Sequence, residues 1–123
     1  MALDMRRLGR WHGAFNVVSG AWPIVSLRSF EAVFGPKVDR WLEYTVAGLL
    51  VSSGASQISA VSGNRDPHVA RDIGVATALT LLTIDLIYVP RGTIRWTYLI
   101  DAAMEIGWLA LWTRSTMEDM RDG

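Results

Sequence analysis

Cysteine is absent from all 123 residues, so disulfide frameworks, thiolate nucleophiles and sulfur-ligated metal sites are excluded at the outset. A surplus of one charge sign is missing too. Twelve Lys plus Arg balance twelve Asp plus Glu, without the basic excess that a phosphate backbone demands, so nucleic acid is not an expected partner. Glycine-rich phosphate loops of Walker or Rossmann spacing are lacking, as are internal repeats and low-complexity segments. Histidine occurs only twice, at His12 and His68.

What remains is apolar. Half of the residues are hydrophobic, six of them tryptophan, and the length fits a single domain over 1–123. Tyr44 to Asn64 is a run of 21 uncharged residues, enough at ~1.5 Å per residue to cross a hydrocarbon core about 30 Å thick. Trp11 to Leu27, Ile73 to Pro90 and Trp96 to Thr113 are comparable runs, the third interrupted by Asp85 and the fourth by Asp101 and Glu105. Arg6, Arg7 and Arg10 ahead of the apolar Ala14–Leu27 stretch also have the pattern of a secretory signal, which acts as a first transmembrane helix when it is retained.

The expected fold class is therefore all-α, an integral membrane four-helix transmembrane bundle running up-down-up-down, with spans at about 11–34, 41–63, 70–90 and 95–114. Gly35-Pro36 stops the first helix, Asp66-Pro67 cap and open the third, and Arg91–Arg95 is short enough to force an antiparallel hairpin. Pro23 should kink the first span. Trp11 and Trp112 then fall at one membrane face, and Trp41 and Trp96 at the other. Basic residues favour the face that carries the termini, so the expected location is an inner plasma membrane with cytoplasmic termini, in contact with membrane lipids. Gly48, Ser52, Ser56 and Ala60 recur at helical spacing and suggest close docking of another helix, from a second copy or from a partner membrane subunit.

The chemistry concentrates in three acids. Asp85 lies five residues before Pro90 and Asp101 five residues after Trp96, which places both about 7 Å inside one face on adjacent helices. Glu105 is one turn deeper, and Arg28 enters from the first span. Tyr98, Asp101, Glu105, Trp108 and Trp112 recur at spacings of three and four, so they share one inward face. Three carboxylates against one guanidinium require neutralisation, by raised pKa values, by a bound cation, or by Lys37, Arg40, Arg91 or Arg95 folding inward. The expected ligand-binding set is Arg28, Asp85, Tyr88, Tyr98, Asp101, Glu105 and Trp108, lining a cavity that binds or transports a cation or a small amphipathic ligand, with aromatic faces assisting. A plain polar packing network is the alternative reading of the same residues.

Catalytic residues, metal ligands and cofactors are not expected. His12 and His68 map to the face opposite the acids, which prevents a Ser-His-Asp relay or a His-carboxylate metal site. An accessory subunit of a larger membrane complex and a lipid-modifying enzyme using Asp101 and Glu105 as acid and base are the competing functional readings.

The segment Arg28-Ser29-Phe30-Glu31 to Gly35-Pro36-Lys37-Val38-Asp39-Arg40-Trp41-Leu42, followed by Tyr98-Leu99-Ile100-Asp101 and Glu105, resembles small four-span bacterial membrane proteins. That resemblance implies a bacterial inner membrane and no particular activity. Four short helices with buried acids are also similar in architecture to the sterol-isomerase and sigma-2-receptor type of fold, which implies a cavity for lipophilic amines.

Overall fold

In a computed structural model the chain is described over residues 4–36, 39–63 and 65–122. Five helices account for most of it: α1 (Met5–Val25), α2 (Leu27–Phe34), α3 (Arg40–Ala60), α4 (Pro67–Tyr88) and α5 (Tyr98–Asp122). No strand occurs among the described residues.

Among the described residues no helix is long and apolar enough to cross a membrane. This overturns the expected integral membrane four-helix transmembrane bundle, and with it the inner plasma membrane location and the cytoplasmic termini. The physical reason is that an uncharged run is not an apolar one. The long helices have 21 to 25 residues, which is length enough, but α3 holds Ser52, Ser53, Ser56, Gln57 and Ser59 among its uncharged positions. Charge intrudes in the others: Arg6, Arg7 and Arg10 in α1, Arg71, Asp72 and Asp85 in α4, and Asp101, Glu105, Arg114 and Glu118 in α5.

The helix ends follow local chemistry. Asp4 caps α1, accepting from Arg6 N at 2.9 Å, and Asp66 caps α4, accepting from His68 N at 2.9 Å with Pro67 opening the helix. The expected first span divides at Ser26 (φ −146°, ψ 81°), three residues after Pro23. Proline has no N–H to give the preceding turn, so the helix ends soon after it. Ser29 Oγ stitches the break, accepting from Trp22 Nε1 at 2.8 Å and donating to Ser26 O at 3.1 Å. Gly35 then ends α2 with φ at +94°, a left-handed conformation that favours glycine. The carbonyls left over at this end are taken across the fold: Arg95 Nη1 donates to Ala32 O at 2.9 Å and Thr97 Oγ1 to Val33 O at 2.8 Å. These bonds fix where α5 begins and set Tyr98 against Phe34, with ring centroids 4.8 Å apart.

Helices α1 and α4 run in one direction, α3 and α5 in the other, as the pairings Gly13–Gly54 with Gly20–Ala47, Gly9–Ala70 with His12–Gly74, and Gly9–Trp112 with His12–Trp108 require. Helix α1 presses its backbone onto α3. A Cβ on Gly13 would lie 2.7 Å from Gly54 O, and one on Gly20 would lie 2.6 Å from Ala47 O, so only glycine permits this approach. At one end of the bundle Met5, Leu8, Ala60, Val61, Ala70 and Trp112 form the apolar core. Arg6 closes that end from outside, donating to Val61 O and Gly63 O (both 3.3 Å) and to Arg65 O (2.7 Å), which secures the turn between α3 and α4.

Toward the other end the interior becomes polar while the exterior is rich in large apolar side chains. Trp11, Trp41 and Trp96 are each about two-thirds exposed, and Val25 and Leu49 are also largely exposed.

Candidate functional site

The carboxyl cluster is a product of helix register. Asp85 on the last turns of α4 and Asp101 on the first turn of α5 meet because the connection between them doubles back, with Thr93 N donating to Tyr88 O at 3.1 Å. Glu105 follows Asp101 by one helical turn and lies on the same face. Asp85 is 3 % exposed and Glu105 is 0 % exposed, whereas Asp101 is half-buried. The Asp101 carboxyl is within hydrogen-bonding reach of both.

Burial, first, and then the neighbouring Asp101 carboxylate push Asp85 up to about 8 and Glu105 up to about 9. At neutral pH both therefore hold their protons. This also answers a hydrogen-bond problem. As ionised groups, Asp85 Oδ2 and both Glu105 oxygens would be buried acceptors without a donor, whereas protonated Asp85 and Glu105 are donors from which the Asp101 carboxyl can accept. Tyr98, half-buried at the edge of the cluster, is shifted well above the ordinary phenol range by burial and by the carboxylates of Glu43, Asp85 and Asp101. Three acids and a tyrosine thus share one site, and none of the three acids forms an ion pair with Lys or Arg among the described residues.

Two of the expected neutralising cations are engaged elsewhere. Arg40 stands 3.9 Å from Glu31, Arg95 binds the α2 carbonyls, Arg91 is exposed, and Lys37 lies outside the described residues. Arg28 is exposed on α2 and Tyr88 is half-buried at the end of α4. Trp108 faces inward but toward histidine: its ring stacks on His12 at 4.5 Å with an interplanar angle of 14°. Of the small residues in α3, Ala60 joins the apolar core, whereas Ser52 and Ser56 point outward and Gly48 is half-buried with open space beside it. No group of three or more His, Asp or Glu side chains among the described residues is arranged to hold a metal ion.

Sequence reasoning misplaced His12, which is not at a surface but 0 % exposed at the centre of a second polar layer. Trp112 Nε1 donates to His12 Nδ1 at 2.8 Å, and Gln57 Nε2 approaches the same nitrogen at 3.2 Å. Asn16 Nδ2 in turn donates to Gln57 Oε1 at 2.7 Å. The room for this convergence comes from Gly74, where a Cβ would lie 2.7 Å from His12 Nδ1 and 2.9 Å from Trp112 Nε1. Burial lowers the His12 pKa to about 4, so the ring is neutral at physiological pH. His68, by contrast, is a surface residue held between Asp66 (2.6 Å) and Asp119 (3.1 Å), and hydrogen bonds to these two raise its pKa.

Over the described residues this geometry defines an all-helical protein whose interior holds protonatable groups and whose exterior carries many large apolar side chains among charged ones. Searches against known protein families, curated proteins and solved structures return no match.

Proposed function

We propose that the chain is a binding protein whose Asp85–Asp101–Glu105 cluster takes up a small organic cation in exchange for protons. The observation that supports this reading is the gathering of three carboxyls with no ion pair to Lys or Arg among the described residues, two of them nearly or wholly buried and held protonated. A buried acid without a cation is costly when charged, so the cluster has a strong preference for anything that brings a positive charge or a proton. Among the described residues no acids converge in a way suited to a metal ion, which favours a larger, softer cation, and Tyr98 at the rim offers an aromatic ring for it.

Benzyltrimethylammonium is a suitable probe, because its own charge does not titrate. Followed by tryptophan fluorescence and by proton release into weakly buffered solution, it should bind saturably and release up to about one proton per cation bound, more tightly as pH rises. Glu105→Gln and Asp85→Asn should each weaken it by about tenfold, ~1.4 kcal/mol. Absence of saturable binding, or binding that neither substitution changes, refutes the proposal.

The apolar exterior favours a second reading, a subunit that docks against another protein. Exposed aromatic and aliphatic side chains on this scale mark interaction surfaces in proteins generally. Sedimentation of the isolated chain as a monodisperse monomer across the micromolar range would count against self-association as the explanation.

A further inference from the structure

The polar layer around His12 contains a directional constraint that can be followed atom by atom. An indole N–H only donates, so the 2.8 Å bond from Trp112 Nε1 requires His12 Nδ1 to be an unprotonated acceptor. A neutral imidazole then carries its proton on Nε2. The Gln57 amide is oriented by the same bond. Its Nε2 must face Nδ1 and Ala70 O (3.4 Å), so its Oε1 accepts from Asn16 Nδ2, and that orients Asn16 in turn. Every member of the layer is thereby fixed, and two polar atoms remain without a partner: the donor His12 Nε2–H and the acceptor Asn16 Oδ1. Both residues are 0 % exposed, so bulk water does not satisfy them.

These two atoms belong to residues four apart on α1, stacked on one face one turn from each other. The side chain opposite Asn16 follows from the antiparallel register of α1 and α5. Gly9 lies beside Trp112 and His12 stacks on Trp108, so Asn16 comes level with Glu105. Both Glu105 oxygens at this level are likewise buried without a hydrogen-bond partner, so the unserved polar atoms here include acceptors on α5 as well as on α1.

We propose that His12 and Asn16 form an internal binding site for a hydroxyl-bearing molecule of the size of water, which accepts from His12 Nε2–H and donates to Asn16 Oδ1. One molecule with one donor and one acceptor in use completes the layer, and its second O–H is directed toward the level of Glu105. A buried water of this kind ordinarily makes about three hydrogen bonds. The site does not depend on cation binding by the carboxyl cluster.

The test is nuclear magnetic resonance on the full chain labelled with 15N. The His12 ring should show the Nε2–H tautomer, with a slowly exchanging Nε2 proton and a cross-relaxation peak from that proton to the water frequency. In Glu105→Gln the peak should persist, and in Asn16→Leu, whose side chain fills the site, it should be lost. An Nδ1–H tautomer overturns the inference, as does an Nε2 proton without a water contact in the unsubstituted protein. If the water peak disappears in Glu105→Gln, the carboxyl is holding the proton donor itself and the proposal also fails. Should Asn16→Leu not fold, the measurements on the unsubstituted chain and on Glu105→Gln decide the matter.

Discussion

Replacing Glu105 by glutamine isolates the energetic consequence of burying an acid. Glutamine keeps the shape of the protonated carboxyl and cannot ionise. In the folded chain Glu105 is held protonated up to about pH 9, whereas in the unfolded chain it ionises near the ordinary value of 4.5. A raised acid pKa means that the folded state holds the extra proton, so this group's contribution is favourable below about pH 4 and erodes as pH rises toward 9. Within that window one proton separates the two states, which corresponds to a loss of ~1.4 kcal/mol of stability per pH unit. Between about pH 6 and about pH 8 the native protein should therefore lose up to ~2.7 kcal/mol that the Glu105→Gln variant does not lose. Asp85 acts in the same sense and persists in the variant, so a residual slope of like sign is expected there. Urea unfolding of both proteins across this range measures the difference directly. Parallel dependence of their unfolding free energies on pH would show that Glu105 is ionised in the fold, and the account of the cluster would fall.

Two further substitutions examine the packing that positions the site. Gly13→Ala places a methyl 2.7 Å from Gly54 O, a contact that backbone cannot relieve by a rotamer change, and should cost at least ~1–3 kcal/mol by thermal or urea unfolding; a neutral result would disprove the close α1–α3 contact. Trp112→Phe removes the indole donor to His12 and leaves part of the 1 %-exposed volume unfilled, so a loss of ~1–3 kcal/mol is expected together with a change of the His12 ring tautomer; an unchanged tautomer would mean that Trp112 does not set it.

Much of the helical layout was legible because apolar runs and end signals agree. Asp66-Pro67 marks the start of α4, Gly35 closes α2, and the short Arg91–Arg95 segment turns α4 back as α5, all for local stereochemical reasons. The meeting of Asp85 with Asp101 and Glu105 followed from counting turns inward from that hairpin. The environment was not legible in the same way. Counting charges over Tyr44–Asn64 ignored that serine and glutamine, though uncharged, lower the hydropathy of a run, and a membrane frame then assigned depth to every residue, which sent His12 to a surface. A signal for the histidine layer was present: His12 and Asn16 are four residues apart on α1, beside Gly9, Gly13 and Gly20. That glycine row on α1, rather than the Gly48–Ser52–Ser56 row on α3, is where the backbones touch. Gln57 and Trp112 could not be joined to it from sequence, since they stand 45 and 100 positions from His12 and only tertiary register brings them together.

The three carbonyls gathered by Arg6 carry a practical consequence for handling the protein. They tie the first turn of α1 to the loop that launches α4, the helix on which both Gly74 and Asp85 ride. Trimming the amino terminus past this arginine would leave that loop untethered, and the shift would be felt at Asp85 on the far end of α4. Reporter groups and affinity handles are better attached at the carboxyl end, where α5 runs out into exposed residues.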